Sequence, residues 1–248
     1  MSGLMLVCAV RSHVGHVRAN NEDALFASPR MAAVADGVGG SAAGEIASRL
    51  IINALEHFDK CRLEDTVEHE LQAAIARGND SIAFVADRRP GTTGMSTTLT
   101  AVALDESGYV LANVGDSRTY LLRDGELSRL TRDDTLMQLL IDSNDLTPAQ
   151  AREHPQRSVV LEALDGDPQR TPTMTTLAAQ LGDRLLLCSD GLSDMVSDED
   201  ITAALALPSR EACADELIEL ALRAGGRDNV SAIVADVTQR DDPASAWG

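Results

Sequence analysis

The sequence predicts an α+β fold, an antiparallel sheet with helices packed on it. Three observations point there. Seven apolar runs have strand length, at 4–10, 31–35, 98–104, 109–114, 119–122, 184–188 and 230–237. Two longer stretches have helical spacing instead. The order is strands, two helices, a strand meander, a polar helical insertion, a strand, a helix or two and a last strand, without the strict alternation of a parallel sheet.

Taken in order, the opening MSGLMLVCAVRSHVG has about seven apolar residues and no basic flank before them. That suits a first strand and makes a poor signal peptide. Ile46, Leu50, Ile51, Ala54 and Leu55 share one helical face, and Val67, Leu71, Ala74, Ile75, Ile82 and Val85 share a second. In YLLRDGELSRL, Asp124-Gly125 falls between two alternating strands and predicts a hairpin turn. Thr147-Pro148-Ala149-Gln150 offers a Thr cap, a Pro in the first turn and a Gln that can close a capping box. Ser197-Asp198-Glu199-Asp200 is a similar start ahead of ITAALAL. A further helix at 210–223 stops at Gly225-Gly226.

Bulk composition excludes several function classes. The 44% apolar content is that of a globular chain, and with aromatics at 2% the core must come from Leu, Val, Ile, Ala and Met. No apolar run approaches the roughly 18 residues that span a bilayer. Against 21 basic residues stand 39 acidic ones, a net charge of -18. That field repels nucleic acid and anionic membranes. It also repels a phosphate-bearing substrate unless something local, such as bound cations, reverses it. Cys8, Cys61, Cys188 and Cys213 are scattered, with no Cys-x-x-Cys pair, which fits a reduced, cytoplasmic setting.

The acids are less evenly informative. Asp-Gly occurs four times. Asp124-Gly125 and Asp165-Gly166 read as turns. Asp36-Gly37 follows MAAVA and Asp190-Gly191 follows LLLCS, so each puts a carboxylate directly at the end of a buried strand. LANVGDSR runs a strand into Asp116, GGRDNVSAIVADV sets Asp228 just before one, and RANNED adds Asp23. A lone Asp at a strand end is usually a turn or a cap. Several at the edges of core strands invite one explanation, because converging carboxylates repel each other unless a cation binds them. All-oxygen ligands mean a hard ion, Mg²⁺ or Mn²⁺.

The ordered segments GHVRANNED, VADGVGGSAAGEIAS, MSTTLTAV, NVGDSRTYLLRDGELSRLTRDD, LLLCSDGLSDMVSDEDI and GGRDNVSAIVADV resemble the bacterial PP2C-type (PPM) serine/threonine phosphatases, over nearly the whole chain. The resemblance implies a single catalytic domain at 1–240, a central antiparallel β-sandwich flanked by helices on both faces, and a binuclear Mn²⁺ or Mg²⁺ site at one edge. LTRDDTLMQLLIDSNDLTPAQAREHPQRSVVLEAL resembles the part carrying the flap of bacterial members, here at about 139–168. By the same resemblance Asp36 bridges the two ions and the Gly37 carbonyl ligates one. Asp190 and Asp228 hold the first ion. Asp23, with Glu22, supports the second through waters. Asp116, with Asp190, holds a third ion of the kind often seen in bacterial members. Arg18 grips the substrate phosphate, and Asn229 supports the site beside Asp228. A metal-bridging hydroxide then attacks phosphorus in line.

The sequence departs from the family at the histidines. Many bacterial relatives have Ser-Asp-x-Gly where this chain has Ser12-His13-Val14-Gly15. Positions where relatives carry candidate acids hold Val38 and Ser41, so His13 or His16 is the nearest substitute. Ser96 stands where relatives have Gly, with a packing effect expected. No metal ligand is lost.

Other chemistries fit worse. None of the four cysteines has Arg six positions on, as a cysteine-dependent phosphatase needs. Asp198–Thr202 has the letters of an Asp-nucleophile motif but starts a helix. No Walker lysine motif and no EF-hand loop is present. An inactive relative that only binds phosphoproteins is the alternative from another class, and the intact ligand set favours the enzyme. The expectation is a soluble, monomeric, cytoplasmic phosphatase without sensor domain or membrane anchor, opposing a Ser/Thr kinase and acting on phosphoserine and phosphothreonine proteins, with a disordered tail at 241–248.

Overall fold

The computed structural model describes residues 3–39, 43–106 and 108–240. Ser41 and the expected tail at 241–248 lie outside the described residues. The strands are β1 (Leu4–His13), β2 (Asp23–Ala27), β3 (Met31–Val38), β4 (Ser96–Thr97), β5 (Leu99–Leu104), β6 (Tyr109–Val114), β7 (Arg118–Arg123), β8 (Glu126–Arg129), β9 (Thr173–Leu177), β10 (Arg184–Cys188) and β11 (Val230–Gln239). The helices are α1 (Ala43–Lys60), α2 (Val67–Arg88), α3 (Leu136–Asp142), α4 (Pro148–Glu153), α5 (Asp190–Ser193), α6 (Asp198–Leu205) and α7 (Arg210–Arg223).

Two antiparallel sheets form, ordered β1-β11-β10-β7-β8 and β2-β3-β5-β6-β9, with β4 paired to β3. Strand alternation sends successive side chains to opposite faces and so divides the apolar residues into layers. Leu185 and Leu187 of β10 join Ile233 and Ala235 of β11 and Ala32 and Val34 of β3 between the sheets. Leu186 and Cys188 point the other way, with Val230, Ala232 and Val234, onto α5, α6 and α7. Met31, Ala33 and Ala35 of β3 face α1 and α2. Both faces of the central strands are thus covered, which is why they read as continuous apolar runs although the sheets are antiparallel. The expected helix–sheet–sheet–helix sandwich is the fold found.

Local signals hold. Thr147 and Gln150 close the capping box of α4, and Ser197 accepts from the Asp200 backbone at the start of α6. Helix α7 spans 210–223, and Gly226 N–H returns to the Ala221 carbonyl at its end. Strands β2, β4 and β9 are additions to the sequence reading. β2 is half-buried throughout, and three of the five β9 residues are exposed, so neither carries an alternating pattern. The insertion between β8 and β9 holds α3 and α4. The Thr135–Val160 bridge closes it on itself, and it is tied down by the Thr97–Leu164 bridge and by Asn79, whose side chain bonds the Gly166 N–H and the Asp167 carbonyl.

At the end of the sandwich where β7 finishes and β10 begins, Asp183 joins the sheets. Its side chain, 1% exposed, accepts from Tyr109 Oη at 2.6 Å and from Arg123 Nε at 2.7 Å and Nη2 at 2.6 Å. Removing it strands a buried hydroxyl and a half-buried guanidinium. Asp183→Ala is expected to cost about 3 kcal/mol, seen as a lower urea midpoint with an unchanged slope.

Candidate active site

The acids singled out in the sequence gather at the opposite end of the sandwich. Asp36 lies near the end of β3, Asp116 just past β6, Asp190 just past β10 and Asp228 just before β11. With Glu22, Gly37, Asn229 and Arg18 they line one cleft of about 660 Å³. Asp23 is the exception. It pairs across from Asp36 in the β2–β3 ladder but sits beneath the cleft, where its Oδ2 accepts from Ser189 Oγ at 3.0 Å.

Backbone approach explains the glycines here. Gly37 and Gly44 touch: a Cβ on Gly37 would fall 2.2 Å from the Gly44 carbonyl oxygen. A Cβ on Gly191 would fall 2.0 Å from the Asn229 carbonyl oxygen. Asp190 opens the single-turn α5, and Gly191 lets that turn lie against the loop that carries Asp228. Thr97 Oγ1 and Thr98 N–H both donate to the Asp36 carbonyl, at 2.8 and 2.9 Å, and Thr98 Oγ1 accepts from Asp36 N–H at 3.2 Å. Asn229 is buried and fully used. Its Oδ1 accepts from Glu22 N–H at 2.8 Å, and its Nδ2 donates to the Val14 and Asn20 carbonyls at 3.0 and 2.8 Å. One side chain thus fixes the 14–22 loop, which presents Arg18 and Glu22, to the base of β11.

The electrostatics are those of a site short of positive charge. Burial, then the charges of Asp23, Asp190 and Asp116, holds the Asp36 carboxyl well above the usual carboxylate range. Burial, then Asp116, Asp194 and Asp228, does the same to Asp190. Asp116 is pushed up to about 7 by burial and by Asp133 and Asp194. Burial raises Asp23 despite hydrogen bonds from Ser231 and Ser189. Buried oxygens Asp23 Oδ1 and Asp190 Oδ1 have no hydrogen-bond partner. Among the described residues no three His, Cys, Asp or Glu side chains close around one point as a ready cage. The carboxylates instead line an open cleft with room for water and substrate. Unpartnered buried oxygens in an all-oxygen set fit hard divalent cations. Arg18, its side chain 53% exposed, donates from Nη2 to Asp228 Oδ2 at 2.6 Å.

The cleft also holds residues that sequence reasoning missed. Asp194 lines it from the end of α5, its N–H bonded to the Asp190 carbonyl at 2.8 Å. The signal was the four-residue spacing in SDGLSD, which puts two acids on one face of a helical turn. Arg152 and Arg157 come from the insertion and Arg227 from the loop before Asp228. No pattern marked them. Neither His13 nor His16 is among the lining residues, and His13 Nδ1 accepts from Gly15 N–H at 2.9 Å. Val38 does line the cleft, 45% exposed. Ser96 pairs with Val38 in the β3–β4 ladder.

Gly191→Ala is expected to force the Asp228–Asn229 backbone off α5. The outcome is a loss of about 2 kcal/mol in stability or more, measured by chemical unfolding, with weaker Mn²⁺ binding by calorimetry.

Comparison with known proteins places this arrangement. A family model described as protein phosphatase 2C matches residues 11–224. The serine/threonine protein phosphatase PstP of Mycobacterium tuberculosis is 51% identical over 238 residues. That match takes in 96% of this chain and 46% of PstP, so the chain spans about half the length of that relative. The serine/threonine phosphatase stp of Listeria monocytogenes is 33% identical over 247 residues, 95% of this chain and 98% of that one. Among solved structures, the catalytic domain of PstP in complex with 2 manganese ions superposes with a TM-score of 0.89 at 49% identity, covering 95% of this chain and 99% of that one.

Proposed function

The chain belongs to the protein phosphatase 2C family, and we propose that it hydrolyses phosphoserine and phosphothreonine in proteins with the help of bound divalent cations. One observation carries the reading: Asp36, Asp116, Asp190, Asp228 and Glu22 converge on a single cleft that also holds guanidinium groups. Such a set is unfavourable without cations and suited to a phosphoryl group once they bind.

The proposed roles follow the resemblance and the site chemistry. Asp36 would bridge two ions, with the Gly37 carbonyl on one of them. Asp190 and Asp228 would hold the first ion, and Glu22 with Asp23 would support the second. Asp116 with Asp190 would hold a third. Asn229 is a positioning residue, since it fixes the loop carrying Glu22. Mn²⁺ or Mg²⁺ bound here would neutralise phosphoryl oxygens and make a water molecule acidic enough to act as nucleophile near neutral pH. Arg18 would exchange its bond to Asp228 for the phosphoryl oxygens, to which its planar fork is matched. The paired backbones of β3, β4 and β5 keep the Asp36 carboxylate in one place while this happens. We assign the protein to the cytoplasm, as a monomer acting against a Ser/Thr kinase. No helix among the described residues is long and apolar enough to cross a membrane.

Hydrolysis of p-nitrophenyl phosphate and of a phosphothreonine peptide is expected with Mn²⁺ and lost with EDTA. Asp190→Ala should lower kcat more than about a hundredfold. A folded protein that binds Mn²⁺ and hydrolyses neither substrate would instead be a phosphoprotein-binding relative.

The same reading predicts a trade between function and stability. In EDTA, Asp190→Asn should be more stable than the parent by about 1–2 kcal/mol, because it removes one of several crowded buried charges. Mn²⁺ should raise the Tm of the parent and leave that of the variant nearly unchanged.

A further inference from the structure

The guanidinium groups of the cleft are of two kinds. Arg18 is engaged with Asp228. Arg152, Arg157 and Arg227 line the same cleft, yet their side chains make no hydrogen bond or ion pair among the described residues. Arg157 feels Asp194 only through its longer-range field. This chain has 39 acids for 21 bases, so partners are plentiful. The neighbouring Arg118 is held by Asp133, with Nη2 to Oδ2 at 2.6 Å, and Arg129 lies 3.6 Å from the same carboxylate. Other unpaired arginines, Arg62 beside α1 and Arg77 in α2, are not among the cleft residues.

Arg152 and Arg157 also line a second cavity of about 550 Å³ under α3 and α4. They therefore stand where the two spaces meet, with Asp116, Asp194 and Met195. Six carboxylates line the first cleft against four guanidiniums. Two divalent cations would reverse that balance and, with Arg18, would meet the charge of the phosphoryl group. Arg152, Arg157 and Arg227 balance the remaining carboxylates in overall charge, yet none of the three has a hydrogen-bonding partner of its own, which leaves their donors open to a substrate anion.

We propose that Arg152, Arg157 and Arg227 form an anion subsite that selects phosphorylated segments carrying a second anionic side chain, a carboxylate or another phosphate. Arg152, Arg157 and Arg227 line the same cleft as the carboxylates, so the second anion is expected on a near neighbour of the phosphorylated residue. This rests on the phosphatase reading above and adds the substrate class. A net charge of -18 would otherwise repel an acidic segment, so the preference must come from the cleft itself.

The test uses four phosphothreonine peptides, with neutral, glutamate, phosphoserine or lysine residues at the second and third neighbours. Measured are kcat/KM with Mn²⁺, and Kd for the matching phosphonate peptides by calorimetry. The parent should favour the glutamate or phosphoserine peptide over the neutral one by about tenfold in both measures, as expected of a charge-assisted contact. Arg152→Gln with Arg157→Gln should bring that ratio close to one, whereas Arg62→Gln with Arg77→Gln, an equal change in net charge outside the cleft, should leave it in place. A preference for glutamate alone or phosphoserine alone would assign the anion to carboxylate or phosphate. A parent that hydrolyses all four peptides equally, or a ratio that survives the double variant, overturns the subsite while the phosphatase reading stands. No hydrolysis of any peptide or of p-nitrophenyl phosphate overturns both.

Discussion

Mutual repulsion among buried carboxylates is the constraint around which this molecule is built. Asp36, Asp190 and Asp116 are held in low-dielectric surroundings by strands that cannot easily yield; Asp190 and Asp116 raise the cost of ionising Asp36, and Asp116 raises that of Asp190. A flexible surface would let such groups swing apart into water. Here Asp36 is pinned through its own backbone by Thr97 and Thr98, and Asp190 by the contact between Gly191 and Asn229. The close glycine contacts, the buried Asn229 and the two serines under Asp23 are all means of keeping like charges near each other.

The two ends of the sandwich therefore do opposite work. At one, Asp183 is satisfied by Tyr109, Arg123 and the Gln180 N–H, and its carboxyl is drawn below the usual range despite burial. At the other, Asp36, Asp190 and Asp116 are pushed above that range by burial and by neighbouring carboxylates. A rigid, paired end lets the same strands present an unpaired end without the fold coming apart.

The layers of the fold and most of the acids were legible in the sequence, because both depend on local order. Apolar runs covered on both faces are visible as runs, and an aspartate at the abrupt end of LLLCS or MAAVA stands out against them. Edge strands were not legible. β9 has a Thr-rich pattern with no buried side, and β2 is half-buried along its length. Arg152 and Arg157 could not be found either, since their place in the cleft depends on how the 130–168 insertion folds back over residues more than a hundred positions earlier. Asp23 showed the remaining gap. Its position at a strand edge was readable, but its depth was not: it pairs with Asp36 on the same face of the β2–β3 ladder and is not itself among the residues that line the cleft.

The pairing of β1 with β11 joins Leu4 to Gln239 and His13 to Val230 in an unbroken ladder. Arg18 follows the first of these strands, and Asp228 and Asn229 precede the second. The two halves of the cleft are thus synthesised at opposite ends of this stretch of chain. A ribosome must deliver almost all of it before the ladder can close, and a chain interrupted midway has the Asp36 side of the centre without the Asp228 side. Assembly of the cleft is consequently a late event in biosynthesis, governed by the slow closure of long-range strand pairs.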